Sequence, residues 1–347
     1  MRDVPAGAPD RRSTGSQSGS AQPGGSRPSG PTADDSPRRT VPVRRVAVGK
    51  WPEGIASVGS SLWIAESGQR TIAELDPASL RLTRRLPIGR LPVSMGTDAN
   101  GALYVAVVTD RTIARLAPGS RAPARVATIT GTINHLKVSG TIAWALTWPN
   151  DSSSEIAVVG IDTRSGRATT HARLSAGLDY EGADSDFAVV GNRIWIGFHN
   201  GDLLVLNRTD GTRVERFSDR GGAINAVAAD GDRAVIAGAL TRTRAGSPGT
   251  GIVVVLDNDT MRPFGVRELP QPIVELVTSN GRIVAIGEQG HVFVLDREAR
   301  LLRHLVPAQR IVGRPVSAAV IGRRLFIATH GAGGPEGSLY VIAEWAP

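Results

Sequence analysis

A short apolar strand recurs seven times in this chain of 347 residues, and its spacing constrains the fold strongly. The copies are centred on seven residues, called anchors below: Trp63, Tyr104, Trp144, Trp195, Val235, Val284 and Phe326. Successive anchors are 41, 40, 51, 40, 49 and 42 residues apart. A period near 40 that contains strands and turns, with no helical pattern, is typical of a β-propeller. We therefore predict an all-β, seven-bladed propeller.

Each period is predicted to form four short strands, labelled a to d from the innermost strand at the central channel to the outermost. In the first period they are residues 55–58, 62–65, 71–76 and 80–86, separated by turn-forming residues. The turn between strands c and d repeatedly opens on Asp or Asn: Asp76, Asp162, Asn207, Asp257 and Asp296. Such a side chain can accept a hydrogen bond from the backbone just beyond it. We expect these acids to shape turns rather than to act in catalysis.

The two ends of the chain differ in kind. Residues 44–52 match residues 84–92, which include the first strand d, while the last period supplies only strands a to c. Residues 42–50 are therefore expected to provide the outer strand of blade 7, which removes exposed sheet edges. The first 40 residues contain 6 Gly, 7 Ser and 6 Pro, and no Leu, Ile, Phe, Tyr or Trp. We predict a disordered tail at 1–41 and a propeller at 42–347.

Composition excludes several classes of site. The chain has no Cys, which rules out disulfides, Cys-ligated metals and thiol nucleophiles. Its net charge is +8, but the basic residues are scattered and give no specific nucleic-acid signature. No apolar run is long enough to span a membrane, and no signal peptide is evident. We expect a monomer, cytoplasmic as the sequence is written and extracytoplasmic if an upstream signal or anchor is missing.

The segments 46–56, 62–65 and 71–76 carry a Gly-Ile-Ala run, a turn, a Leu-Trp pair and a closing Leu-Asp. This pattern resembles the YVTN-type and NHL-like repeats of bacterial β-propellers, and also those of virginiamycin B lyase-like proteins within the WD40-like superfamily. The resemblance implies a propeller that acts as a binding protein, a sensor or, in a few members, an enzyme. The lyase-like members use His and Glu at the channel mouth with a magnesium ion, and Glu66 follows the matching strand b.

One face of the propeller is expected to carry the binding surface. The d–a and b–c loops share a face, and long connections at 148–154, 241–250 and 331–337, with the d–a loop at 177–186, gather there. Insertions on one face often mark where a partner binds. Trp148 and Tyr180 are the aromatic side chains placed to contact it. We predict a non-catalytic binding or sensor propeller that recognises a protein, a peptide or a small ligand on the d–a/b–c face.

The mouth of the central channel offers polar side chains. The predicted ligand-binding residues at the start of strand a are Asn134, His135, Asp186, Asn225 and Glu275, of which His135, Asp186 and Glu275 are also the metal candidates. The ends of strand b add the catalytic candidates Glu66, His199, Glu288 and His330. No cofactor is expected apart from a divalent cation held by such a set. The alternative function is a metal-assisted lyase or lactonase at the channel mouth.

Overall fold

The chain folds as the predicted all-β propeller with seven blades. The computed structural model describes residues 38–149, 155–175, 185–218, 222–240, 249–331 and 336–345. Within these ranges the chain forms seven antiparallel four-stranded sheets, one of which gains a fifth, parallel strand. No helix in the described residues is long and apolar enough to cross a membrane.

The strands of each blade follow one another from the central channel to the rim of the propeller. The inner strands a of blades 1 to 7 are β3 Pro52–Val58, β7 Pro92–Thr97, β11 Thr132–Ser139, β15 Ser185–Val190, β19 Gly222–Asp230, β23 Ile273–Ser279 and β27 Pro315–Ile321. Strands b are β4 Ser61–Glu66, β8 Leu103–Val107, β12 Ile142–Trp148, β16 Arg193–Phe198, β20 Arg233–Leu240, β24 Arg282–Gly287 and β28 Arg324–Thr329. Strands c are β5 Thr71–Leu75, β9 Thr112–Leu116, β13 Glu155–Asp162, β17 Asp202–Asn207, β21 Thr250–Asp257, β25 Val292–Asp296 and β29 Gly337–Ala343. Strands d of blades 1 to 6 are β6 Leu82–Pro87, β10 Ala124–Thr128, β14 Ala168–Ser175, β18 Arg213–Ser218, β22 Pro263–Leu269 and β26 Leu301–Pro307.

The core lies between the blades, and each anchor is buried in it. The buried apolar residues form clusters that each join one blade to the next. Every anchor is at most 2% exposed and belongs to the cluster that its blade shares with the following blade. Trp63 packs toward blade 2, for example, and Phe326 toward blade 1. The repeated anchor residue is therefore the one that packs each blade against the next.

The ring closes as predicted. Strand β2 (Val43–Val48) pairs antiparallel with β29 and becomes the outer strand of blade 7. A preceding strand, β1 (Arg38–Val41), runs parallel to β26 at the rim of blade 6. Composition predicts that 38–41 belong to the tail, whereas in the structure they form a strand of the propeller. Val41 is only 2% exposed within the cluster between blades 6 and 7, so its burial draws this segment into the fold.

Hydrogen bonds that Glu66 accepts secure this closure. One carboxylate oxygen accepts the N–H of Gly49 at 2.7 Å, directly after β2. The other accepts the Thr71 hydroxyl at 2.8 Å and the Nε–H of Arg85 at 2.8 Å. Glu66 is fully buried, so these partners replace the water that the charge has lost. The closing segment is thereby tied to strands c and d of blade 1.

The predicted Asx turns are confirmed. The Asp162 carboxylate accepts the N–H groups of Arg164 and Ser165, and that of Asp257 accepts the N–H of Thr260 at 2.7 Å. These bonds lower the pKa of both carboxyl groups, the Ser165 and Thr260 N–H groups contributing most. Exposed carboxylates bound to their own turn serve the backbone geometry.

Several predictions concern segments outside the described residues. Residues 1–37 of the predicted tail lie there, as do Tyr180 and most of the long loops at 148–154, 177–186, 241–250 and 331–337.

Candidate functional site

The inner strands place seven equivalent residues in a ring at the d–a end of the channel. In six blades the member pairs with the residue two positions after the anchor, as Asp186 does with Gly197 and Glu275 with Ile286. In blade 2 the equivalent place lies in a bulge. The members are Gly54, Ser94, His135, Asp186, Ala226, Glu275 and Ser317. His135, Asp186 and Glu275, which the sequence singled out, therefore share one level of the channel.

The next ring, one level deeper, contains a single charge. Its members pair with the anchors themselves and are Ala56, Gly96, Lys137, Ala188, Ala228, Val277 and Ala319. Six of the seven are small or aliphatic. Lys137 accordingly has room around it, and 40% of its side chain remains exposed.

Three members of the first ring connect neighbouring blades. The hydroxyl of Ser94 accepts the N–H of Leu136 at 3.0 Å in the following blade, and Ser317 does the same for blade 1. Asp186 takes this role in blade 4, since its Oδ2 accepts the N–H of Val227 at 2.9 Å. One oxygen of Asp186 is therefore structural, which leaves Oδ1 for other partners.

The other oxygen of Asp186 faces two cation-forming side chains of blade 3. Lys137 Nζ lies 3.2 Å from Oδ1, and His135 Nδ1 lies 3.7 Å from it. Burial by itself would raise the pKa of Asp186, but Lys137, His135 and the backbone N–H groups outweigh burial and lower it. Asp186 is thus a carboxylate at neutral pH, paired with an internal ammonium.

Glu275 behaves in the opposite way on the blade 6 side of the channel. Burial is the main cause that raises its pKa, and the Asp186 charge adds to it, while Lys137 lowers it only in part. The result is a pKa of about 8. Asp186 and Glu275 in turn raise the pKa of Lys137 against the lowering effect of burial. At neutral pH the cluster holds one ammonium, one carboxylate and one protonated carboxyl group.

Asn225 and His199 contact each other rather than this cluster. Asn225 stands at a bulge in β19 and donates its amide Nδ2–H to the carbonyl of Ile273 at 2.7 Å. Its Oδ1 lies 3.1 Å from Nδ1 of the exposed His199. Asn134 occupies the equivalent bulge in β11. The bulges set these asparagines one residue out of register with the ring.

The remaining predicted residues lie in separate places. Both oxygens of Glu66 are occupied in ring closure, and His330 pairs with Glu53 at 3.1 Å. Glu288 is exposed, and Trp148 is half-buried against the cluster of blades 3 and 4. The catalytic candidates thus occupy four different blades.

No metal-binding group is found among the residues that the structure describes, where three or more His, Asp or Glu side chains never converge. His135 and Asp186 do come together. The ammonium of Lys137 lies against the same carboxylate oxygen, where a bound cation would have to compete with it.

Three exposed apolar side chains form a second feature on the d–a/b–c face, named here the apolar arc: Trp51, Leu91 and Val312. They occupy the d–a loops that lead into blades 1, 2 and 7, which are consecutive around the ring. Trp51 is 48% exposed, Leu91 36% and Val312 43%. Trp51 and Leu91 also adopt positive φ angles of 49° and 63°. The arc therefore combines exposed apolar surface with an uncommon backbone conformation.

Hydrogen bonds fix two loops of the arc on the b–c turns of blades 1 and 2 and the third on strand β29 of blade 7. The carbonyl of Trp51 accepts the N–H of Ser67 at 3.0 Å, and the carbonyl of Leu91 accepts that of Val108 at 3.0 Å. The N–H of Val312 donates to the Tyr340 hydroxyl at 2.9 Å. The arc is thus held in place before any partner arrives.

Sequence reasoning missed Lys137 and the apolar arc. Lys137 is one of only two lysines in the chain, beside Lys50, and this rarity was the available sign. The arc also left a trace, because Lys50-Trp51-Pro52 and Arg90-Leu91-Pro92 repeat a basic, large apolar and Pro triplet. In the sequence this triplet indicates the alignment of residues 44–52 with 84–92 and gives no sign of an exposed surface.

Comparison with known proteins adds the fold and nothing finer. No protein-family model and no curated protein matches the chain. Among solved structures it is similar to hydrazine synthase of Kuenenia stuttgartiensis, with 14% identity, a TM-score of 0.67, and coverage of 85% of this chain and 96% of that chain. It is also similar to U3-55K, with 12% identity, a TM-score of 0.66, and 87% and 98% coverage. The WD40 repeats of RRP9 match with 13% identity, a TM-score of 0.65, and 88% and 99% coverage. The chain is a propeller with WD40-like structural neighbours, and its resemblance to YVTN, NHL or lyase-like families stays a prediction.

Proposed function

We propose that this propeller is a non-catalytic recognition module that binds a protein or peptide on its d–a/b–c face, at the apolar arc. The observation that carries the proposal is the exposure of Trp51 and Leu91 at positive φ. A non-glycine residue in this conformation costs about 1 kcal/mol, whereas glycine adopts it freely. Large side chains thus occupy positions where the backbone favours glycine, which supports a role for these side chains in binding.

The arc has the properties of a protein-binding centre. Trp is among the residues that supply most of the binding energy at protein interfaces, and Leu91 and Val312 add exposed apolar surface beside Trp51. The hydrogen bonds with Ser67, Val108 and the Tyr340 hydroxyl fix the three loops before a partner binds, which reduces the entropy lost on binding. Val312, Trp51 and Leu91 are spread over adjacent blades, so one extended segment could contact all of them.

The metal-assisted lyase or lactonase alternative has less support. Glu66 is committed to ring closure and His330 to Glu53. The channel cluster does include a carboxyl group with a strongly raised pKa, Glu275, and such groups often mark functional sites. Since Lys137 and Asp186 already neutralise each other, the cluster can also be explained as an ion pair that joins the inner strands of blades 3 and 4.

Peptide selection tests the proposal. A random twelve-residue peptide library is selected on the immobilised full chain, and the dissociation constants of enriched peptides are measured by fluorescence polarisation. We expect the double variant Trp51→Gly/Leu91→Gly to bind at least tenfold more weakly. Its melting temperature should stay close to that of the parent, because glycine relieves the backbone strain.

The control removes exposed apolar side chains elsewhere. Leu82 and Val266 are 44% and 54% exposed on outer strands β6 and β22, so Leu82→Ala/Val266→Ala should bind as the parent does. Equal affinity of the parent and the Trp51→Gly/Leu91→Gly variant would refute the proposed role of the arc.

A further inference from the structure

We infer that the apolar arc selects an acidic partner, a peptide or protein segment in which Asp and Glu flank a large apolar side chain. This inference rests on the proposed function and specifies the chemistry of the occupant. Its basis is the charge of the side chains around the arc, an observation separate from the exposure of the apolar residues.

Basic side chains surround the arc on both types of loop. The d–a loops place Lys50 beside Trp51 and Arg90 beside Leu91. In the same sector lie six exposed basic residues in all: Lys50, Arg70, Arg90, Arg111, Arg310 and Arg314. Arg70 and Arg111 belong to the b–c turns of blades 1 and 2 and adopt positive φ angles of 61° and 51°. Cations thus follow the arc along its length.

Three carboxylates of this sector are engaged, whereas Glu336 on the b–c loop of blade 7 is exposed. Asp110 accepts the N–H of Arg90 at 2.9 Å and its Nε–H at 3.2 Å. Glu53 pairs with His330. The carboxylate of Glu66 is fully buried against Arg85 and contributes no exposed negative charge.

Three cations of the sector remain available to a partner. Lys50, Arg310 and Arg314 are exposed, and none forms a salt bridge with a carboxylate of the described residues. Uncompensated charge at the rim of an apolar patch favours a partner of opposite charge and accelerates its association. The surface therefore offers an apolar centre and a positive rim.

The geometry favours an acidic peptide over two other anionic partners, a lipid bilayer and a single-stranded nucleic acid. Each apolar side chain is less than half exposed, so it forms the floor of a surface rather than a prong that could enter a bilayer. Nucleic-acid single strands need several aromatic platforms for stacking, and Trp51 is the aromatic member of the arc. A peptide can bury one apolar side chain here and pair its carboxylates with the surrounding cations.

The test uses three fluorescein-labelled twelve-residue probes on the full chain. The first carries Leu and Trp flanked by Asp and Glu, the second replaces the acids by Asn and Gln, and the third by Lys. We expect the acidic probe to bind at least tenfold more tightly than either other probe at 50 mM NaCl. Its dissociation constant should rise about tenfold between 50 and 300 mM NaCl, because salt screens exposed charges.

Charge reversal identifies the surface. Lys50→Glu/Arg314→Glu should weaken the acidic probe at least tenfold, whereas Arg125→Glu/Arg213→Glu, on exposed outer strands β10 and β18, should change it less than twofold. Equal binding of the acidic and neutral probes would overturn the inference, as would failure of the acidic probe to bind.

Competing anions are included as separate arms. Vesicles with one-third phosphatidylserine and a twenty-nucleotide single-stranded DNA are titrated against the same variants. If either binds more tightly than the acidic probe and loses affinity with Lys50→Glu/Arg314→Glu, the peptide assignment is wrong. The random library separates the two proposals, because enrichment of neutral peptides that need Trp51 would reject only the acidic specificity.

Discussion

At the residue scale, Glu275 and Asp186 show how position decides the charge of chemically similar groups. Both belong to the same ring of the channel, and Lys137 acts on both. Asp186 also accepts the N–H of Val227 and lies beside His135, whereas burial dominates at Glu275. The pKa therefore falls at Asp186 and rises at Glu275.

Glu275 should make stability depend on pH in a defined window. Its pKa of about 8 in the folded state lies above its ordinary value of 4.5, so the folded protein keeps a proton that the unfolded chain has lost. Raising the pH between these values therefore favours unfolding, and the effect ends above pH 8. We expect the urea midpoint to fall from pH 5.5 to 8 in the parent and to fall less in Glu275→Gln. The exposed Glu288→Gln serves as control, and parallel curves for parent and Glu275→Gln would contradict the assignment.

The sequence revealed the members of this cluster only in part. His135, Asp186 and Glu275 could be placed at the starts of strands a by counting from the anchors. Lys137 could not be connected to Asp186, because their contact joins two blades and depends on register between strands far apart in sequence. The bulges that shift Asn225 have no reliable trace in the pattern of residues.

At the element scale, ring closure depends on a buried carboxylate at the end of β4. Replacement of Glu66 by Gln keeps its shape but removes the charge that binds Arg85 and the Gly49 N–H. We expect Glu66→Gln to lower the free energy of unfolding by about 2 kcal/mol, measured by urea denaturation. Glu74→Gln is the matched control, since its pair with Arg84 joins β5 and β6 of the same blade nearer the surface. A loss no larger than that of Glu74→Gln, about 1 kcal/mol or less, would argue against a special role in closure.

The elements also show which sequence arguments succeed. Strands could be predicted because alternation and turn residues act locally, as at Asp162 and Asp257. The positive φ of Trp51 and Leu91 could not, because a large residue before Pro gives no indication of a left-handed backbone. It depends on the b–c turns, which hold the carbonyls of both residues.

At the scale of the whole molecule, stability should depend on the closing strand more than on the strand before it. A chain that begins at residue 42 loses β1 and the burial of Val41, whereas one that begins at residue 50 also loses β2 and leaves β29 as an open edge. We expect the second truncation to lower the melting temperature by roughly 10 °C more than the first. A peptide of residues 42–50 added in excess should restore part of the difference, and equal melting of both truncations would disprove the closure role.

The closing pair β2–β29 also has a consequence in time. Gly337 follows Val48 by 289 positions, so at translation speeds of 5–20 residues per second β2 waits roughly 15–60 s for its partner. During this interval its backbone groups can pair with any other exposed strand. Arg44 and Arg45 place two charges in the middle of β2, and both stay exposed after closure. We expect these charges to disfavour pairing of the waiting strand with another nascent chain before its own ring is complete.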